Sequence, residues 1–216
     1  MNMQDMIKSF PDQLLDQYNS IKDLVFSLDD FSDIDRIVIS GMGGSAISGD
    51  IVKLILRNNI KKTVHIIRDY NCEELYKNDS TLFIMSSYSG NTEETLSMYK
   101  VAKACSKKNI CITTGGELKR LADEDGIPVV SIPEGFQPRA ALGYSLISLI
   151  VILDKLNLIS NFHIESILNS APKLHSFYES NCRENQYAHK ISKNIYGGFI
   201  TIYGTASTEP IVSRFR

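Results

Sequence analysis

The sequence predicts a doubly wound α/β domain built on a five-stranded parallel sheet, and three observations carry that reading. Short β-branched and apolar runs at 36–40 (RIVIS), 63–67 (TVHII), 82–86 (LFIMS), 110–113 (ICIT) and 129–132 (VVSI) lack the in–out alternation of half-exposed strands. Amphipathic stretches lie between most of them, so right-handed crossovers and parallel pairing are expected. The first run passes directly into Gly41-Met42-Gly43-Gly44-Ser45, a glycine-paved turn into a helix. Such turns lie at the ligand end of doubly wound sheets, where the chain order reverses beside the first strand.

In order along the chain, Pro11 can serve as an early helical residue for a helix over 12–28. Leu14, Leu15, Tyr18, Ile21, Leu24, Val25 and Leu28 recur there at helical spacing. That helix is expected to cover the sheet or to lie in a subunit interface. After the first strand, a helix over 46–59 would turn Ile47, Ile51, Leu54 and Ile55 inward. The third strand leads into a helix over 92–107 with Thr95, Met98, Val101, Ala102 and Cys105 inward. A short helix over 117–124 precedes the fifth strand, and a long apolar helix over 139–156 follows it. Asn161-Phe162 reads as a hinge before two helical stretches, about 164–182 and 184–196. Phe199–Tyr203 (FITIY) reads as a sixth strand running into Gly204-Thr205-Ala206-Ser207-Thr208 and a helix over 210–216.

This last portion faintly repeats the first loop, IVIS-GMGGSAISGDIVK against ITIY-GTASTEPIVSR. One strand and half a helix cannot bury their own faces. The expected organisation is therefore an N-terminal helical segment (1–35), a first domain (36–158), a helical connector (159–197), and the first strand and helix start of a second, similar domain (198–216). An unpartnered strand there should leave 197–216 disordered or prone to association.

Composition narrows the partners. Of 216 residues 43% are apolar, and 23 basic against 25 acidic residues in mixed order give a net charge of −2. No field results that would attract nucleic acid or an anionic membrane, so any anion must be caught locally. The N-terminus lacks an apolar signal-peptide core, and the longest apolar run, 140–153, falls short of the ~18 residues of a membrane span. A cytoplasmic protein is expected. Cys72, Cys105, Cys111 and Cys182 form no C-x-x-C and sit in or beside apolar segments, as reduced packed thiols do. The four histidines show no metal spacing, and His65, inside TVHII, reads as a satisfied core residue.

Two turns carry the chemistry. Glycines 41, 43 and 44 let a ligand approach backbone N–H groups without a Cβ in the way, and the helix that Ser45 opens adds unpaired donors and a partial positive charge. The turn suits an anion. Gly41-x-Gly43-x-x-Ala46 also fits the dinucleotide fingerprint, so this loop alone leaves open a cofactor phosphate, a sugar phosphate or a tight turn with no ligand. The turn after the third strand, Ser86-Ser87-Tyr88-Ser89-Gly90-Asn91-Thr92-Glu93-Glu94, offers three serine hydroxyls, a glycine and Thr92 as N-cap. A single phosphoryl group needs such a cradle and a dinucleotide fold does not, although a capping box with incidental serines would use the same residues.

The segments GMGGSAISGD, SSYSGNTEETL and EGFQPRAALGY, in this order, resemble the bifunctional phosphoglucose/phosphomannose isomerases of the sugar-isomerase (SIS) superfamily. The resemblance runs from about residue 10 to 216 and implies a flavodoxin-like strand order. It implies interconversion of aldose and ketose 6-phosphates through an enediolate, in a homodimer, without metal or nucleotide cofactor. By resemblance Gly43, Gly44 and Ser45 lie against the substrate, Ser87, Ser89 and Thr92 hold its phosphate, and Arg139 serves its reacting end. The chemistry agrees with the last assignment, because an enediolate needs a fixed cation and a guanidinium does not deprotonate. An ion pair of Arg139 with Glu134 or Glu117 is the structural alternative.

Two departures stand out. The family has Gly where Ser48 stands, and its proton-transferring Glu and ring-opening His are expected beyond Arg216. Glu93 and Glu94, in a first helical turn, and Asp50, inside a helix, are not convincing bases. Two other functions compete: a non-catalytic SIS-type sugar-phosphate sensor, and a nucleotide-dependent oxidoreductase with Asp69 on a ribose.

Overall fold

The computed structural model describes residues 1–215. Five strands, β1 (Arg36–Ser40), β2 (Thr63–Ile67), β3 (Thr81–Ser86), β4 (Asn109–Thr113) and β5 (Val129–Ser131), form one sheet in the order β2-β1-β3-β4-β5. Every pairing is parallel, with Val38 of β1 between His65 of β2 and Phe83 of β3. The expected class and strand order are thus met, and the order reverses at β1.

Alternation along each strand divides the core into two layers. Ile37, Ile39 and Ile84 pack with α2 (Phe10–Ile21), α3 (Gly43–Ile55) and α6 (Leu142–Lys155). Val38, Phe83, Met85 and Cys111 pack on the other face with Met98 and Tyr99 of α4 (Glu93–Cys105) and Leu118 of α5 (Gly116–Asp125). Burial of this kind contributes about 25 cal/mol per Å² of apolar surface. It explains why β1 and β3, covered on both sides, read as unbroken apolar runs.

The N-terminal helix differs from expectation. It divides into α1 (Met3–Lys8) and α2. Asn2 and Asp5 form a reciprocal capping box that starts α1. α2 ends at Ile21, leaving Val25 and Leu28 exposed, because the chain turns there and Phe26 and Phe31 close on each other edge to face, centroids 5.7 Å apart. α3 begins inside the glycines, earlier than expected, and buries Ile47, Val52 and Leu56 while Ile55 faces solvent. Its inward face is therefore rotated from the Ile47/Ile51/Leu54/Ile55 stripe.

The long apolar helix starts three residues late, after a single 3₁₀ turn at Pro138–Ala140. The connector holds three helices where two were expected: α7 (Glu165–Leu168), α8 (Ala171–Asn181) and α9 (Tyr187–Ile195). Pro172 sits in the first turn of α8, where a missing N–H costs nothing, and so marks a new start. The sixth strand is not formed. Phe199–Tyr203 has no ladder partner among the described residues, and Phe199 and Tyr203 are fully exposed. A strand needs a neighbour for its N–H and C=O groups, and the chain supplies none there. Beyond it, α10 (Glu209–Phe215) folds back onto α3. No helix among the described residues is long and apolar enough to cross a membrane.

Candidate functional site

The C-terminal ends of β1 and β3 lie side by side, so their two turns touch. A Cβ placed on Gly41 would come 2.7 Å from the Ser86 carbonyl oxygen, a distance only glycine tolerates. Met42 is the N-cap of α3 and accepts from the N–H of Ser45 at 3.0 Å. Gly43 then has φ +49°, a left-handed value that favours glycine. Ser45 is buried, and Ser48 donates to its carbonyl at 2.6 Å, so the serine that replaces the family's glycine is accommodated within the helix.

The hydroxyl turn is pre-organised. Ser87, almost fully buried, shares a 2.8 Å hydrogen bond with Thr92 and accepts from the N–H of Gly90 at 3.1 Å. Ser89 is exposed and accepts from the N–H of Asn91 at 3.2 Å. Thr92 has the extended backbone of an N-cap, as expected, but its hydroxyl bonds Ser87 and does not cap α4. The capping-box alternative is therefore not met, and the N–H groups of the first turn of α4 keep no side-chain acceptor. The hydroxyls of Ser86 and Thr95, both buried, also lack a partner among the described residues. Ser86 is one of the three serine hydroxyls expected of this turn, whereas Thr95 was expected only as an inward residue of the helix.

Arg139 lies in the 3₁₀ turn before α6, against the glycine turn. A Cβ on Gly44 would meet the Pro138 carbonyl oxygen at 2.9 Å and the Arg139 Cα at 3.7 Å. Neither Glu134 nor Glu117 pairs with Arg139, since Glu117 is engaged by Arg120 at 2.5 Å. Among the described residues no carboxylate reaches Arg139, so the structural alternative for it fails.

The turn that carries Arg139 is held by a residue the sequence reading missed. Gln13 of α2, completely buried, donates to the Ala140 carbonyl at 2.8 Å and accepts from the Gly143 N–H at 3.1 Å. Tyr88 braces the preceding loop, donating to the Pro133 carbonyl at 2.9 Å and accepting from the Phe136 N–H at 2.8 Å. The signal for Gln13 was present as Gln13 and Gln17, two amides one helical turn apart beside the apolar stripe.

A cavity of about 1240 Å³ opens on the α3 side of the glycine turn, walled by Gly43, Gly44, Pro138, Arg139 and the segment from Thr205 to Arg214. Ser45, Ser87, Ser89 and Thr92 do not line it. The expected residues thus form two groups joined through the glycine turn, Gly41 meeting the hydroxyl side and Gly44 the arginine side. The cavity's carboxylates are Asp50, ion-paired with Arg68, and Glu209. Glu93 is engaged by the Tyr70 hydroxyl at 3.2 Å, as befits a helix-start acid. No cluster of potential metal ligands occurs among the described residues. Asp69 accepts from the N–H of Tyr70.

A parallel sheet reversing at β1, with a glycine turn and a Ser/Thr turn at its carboxyl end, defines a doubly wound α/β domain, and residues 30–132 match the SIS domain family. That stretch of the chain belongs to the SIS domain family. It is similar to the bifunctional phosphoglucose/phosphomannose isomerase of Caldicellulosiruptor bescii, at 39% identity over 98% of this chain and 62% of the relative. The enzyme of the same name from Aquifex aeolicus is 32% identical over 83% of this chain and 53% of the relative. The chain thus spans between half and two thirds of these curated relatives. In fold it is similar to the tagatose-6-phosphate ketose/aldose isomerase of Escherichia coli, with TM-score 0.72 at 18% identity over 97% of this chain and 60% of that one.

Proposed function

We propose that this chain supplies the phosphate-binding side of an aldose–ketose isomerase that interconverts glucose 6-phosphate, and mannose 6-phosphate, with fructose 6-phosphate through an enediolate. One observation carries the reading. A hydroxyl-lined helix start with uncapped N–H groups touches a glycine turn, whose other flank holds an arginine without a carboxylate partner. The 6-phosphate would accept from Ser87, Ser89, Thr92 and the first turn of α4. The carbon chain would pass the backbone of Gly43, Gly44 and Ser45, and its reacting end would reach Arg139.

Proton transfer between C1 and C2 builds negative charge on two adjacent oxygens, and a guanidinium fixed beside them stabilises that charge without competing for the proton. By resemblance to the isomerases, a Glu and a His beyond Arg216 move the protons. The organisation that supports this reading is a first SIS domain over 36–158, a connector to 197 and the opening of a second such domain from 198. Action in the cytoplasm as a homodimer, with no cofactor, completes the proposal.

Titration calorimetry tests it against the dinucleotide alternative. Fructose 6-phosphate should bind, inorganic phosphate should compete with it, and NAD should not bind. Tight NAD binding with no response to the sugar phosphate would replace this reading by the oxidoreductase one.

A further inference from the structure

Arg139 does not face the cavity alone. Arg214 of α10 is half-buried beside it, and the two arginines are interlocked: Arg214 Nη2 donates to the Arg139 carbonyl, and Arg139 Nη2 approaches the Arg214 carbonyl at 3.4 Å. Each uses one N–H group on the other's backbone and keeps the remaining donors of its fork. No carboxylate pairs with either among the described residues. Two like charges held side by side are costly, and burial together with Arg139 holds the Arg214 guanidinium below arginine's ordinary value. Farther along the same cavity Lys53 and Arg57 add positive charge, while Asp50 is already taken by Arg68. Glu209 is the remaining acid of the lining. A pair of cations without a counter-charge at a cavity wall is the arrangement that favours an anionic ligand group.

We infer that Arg214 acts with Arg139 as a two-guanidinium clamp for a second anionic group, at the end of the sugar opposite its 6-phosphate. The inference rests on the proposed sugar-phosphate site and assigns its specificity: an enediolate, or a carboxylate in the same place, is favoured over a neutral terminus. Bidentate guanidinium contacts suit two adjacent oxygens sharing one charge. Arg214 is then a ligand-contacting residue whose helix is fixed by its bond to Arg139.

The test compares two ligands that share a 6-phosphate. Gluconate 6-phosphate carries a carboxylate at C1, and glucitol 6-phosphate carries a neutral alcohol. The wild-type chain should bind the gluconate at least about tenfold more tightly, since hydrogen bonds to a charged group are stronger than those to a neutral one. Arg214→Gln should cut that preference several-fold, to what Arg139 alone supplies, and leave glucitol 6-phosphate affinity unchanged. Arg214→Lys keeps the charge without the fork and should retain more of the preference, which separates ligand contact from simple detachment of α10.

Equal wild-type affinity for the two ligands, or equal weakening of both by Arg214→Gln, would overturn the inference while leaving the phosphate site intact. Failure of the wild-type chain to bind either ligand would overturn both the inference and the site.

Discussion

Gly44 and Arg139 are 95 residues apart, yet a Cβ on Gly44 would lie 3.7 Å from the Arg139 Cα and 2.9 Å from the carbonyl before it. The glycine turn and the arginine turn are thus in backbone contact, and Gly44 is required for that approach, its own φ being unremarkable. Gly44→Ala must push the Pro138–Ala140 turn outward. Overpacking of this kind costs about 1–3 kcal/mol. A fall in melting temperature with weakened sugar-phosphate binding is expected, whereas Gly43→Ala, with open space around it, should cost stability only through its left-handed φ and weaken binding only through the Cβ it adds beside the ligand.

Gln13 should matter as much as a residue in the cavity wall. Gln13→Ala leaves the Ala140 carbonyl and the Gly143 N–H buried without partners, at about 1–3 kcal/mol for each unsatisfied group. Denaturant unfolding should show the loss. Gln13→Glu, which keeps the acceptor for Gly143 but turns the amide donor into an oxygen facing Ala140, should be worse than Gln13→Asn.

What the sequence showed plainly was whatever depends on local pattern. β1 and β2 have the expected bounds because β1 lies between a polar turn and the glycine turn and β2 between charged residues, and Thr92 falls at the helix start because a hydroxyl before two acids is a strong local signal. What depends on partners distant in the chain was not legible. The end of α2 is decided by the Phe26–Phe31 contact, the rotation of α3 by α6 and α10, and the role of Gln13 by a turn 127 residues away. FITIY has strand composition and still forms none, since pairing belongs to the sheet and not to the segment. Arg214 carries no motif; only the return of α10 onto α3 brings it to Arg139.

Arg139 should influence the transition state more than the ground state. In a catalytically active form of the protein, Arg139→Lys should lower kcat much more than it raises KM, because the charge it meets develops only during proton transfer. The 216-residue chain itself should bind fructose 6-phosphate without measurable isomerisation, Asp50 being held by Arg68. Turnover of about 1 s⁻¹ or more in a coupled assay would be that of an ordinary enzyme and would make Glu209 the candidate base.

His65 links stability to pH. Burial, with Lys53 next in weight, lowers its pKa from the ordinary 6.5, and the Tyr76 hydroxyl lies 3.2 Å from its Nδ1. A folded-state value below the unfolded one means that the unfolded chain takes up the proton first. Stability from the neutral imidazole is therefore complete above 6.5 and declines as pH falls from there towards the folded value. Between about pH 7.5 and about pH 5.5 the wild type should lose more stability than His65→Gln. Equal losses would remove His65 from the linkage.

The central claim is that the Ser87/Ser89/Thr92 turn is where the phosphate binds, and calorimetric titration of fructose 6-phosphate into the wild-type chain and a Ser87→Ala/Ser89→Ala variant tests it most directly. The wild type should bind, and the variant should bind at least about tenfold more weakly, since each hydrogen bond to a charged group contributes roughly 1.5–3 kcal/mol. Circular dichroism should show both chains folded. A folded variant with unchanged affinity would place the phosphate elsewhere and contradict the account.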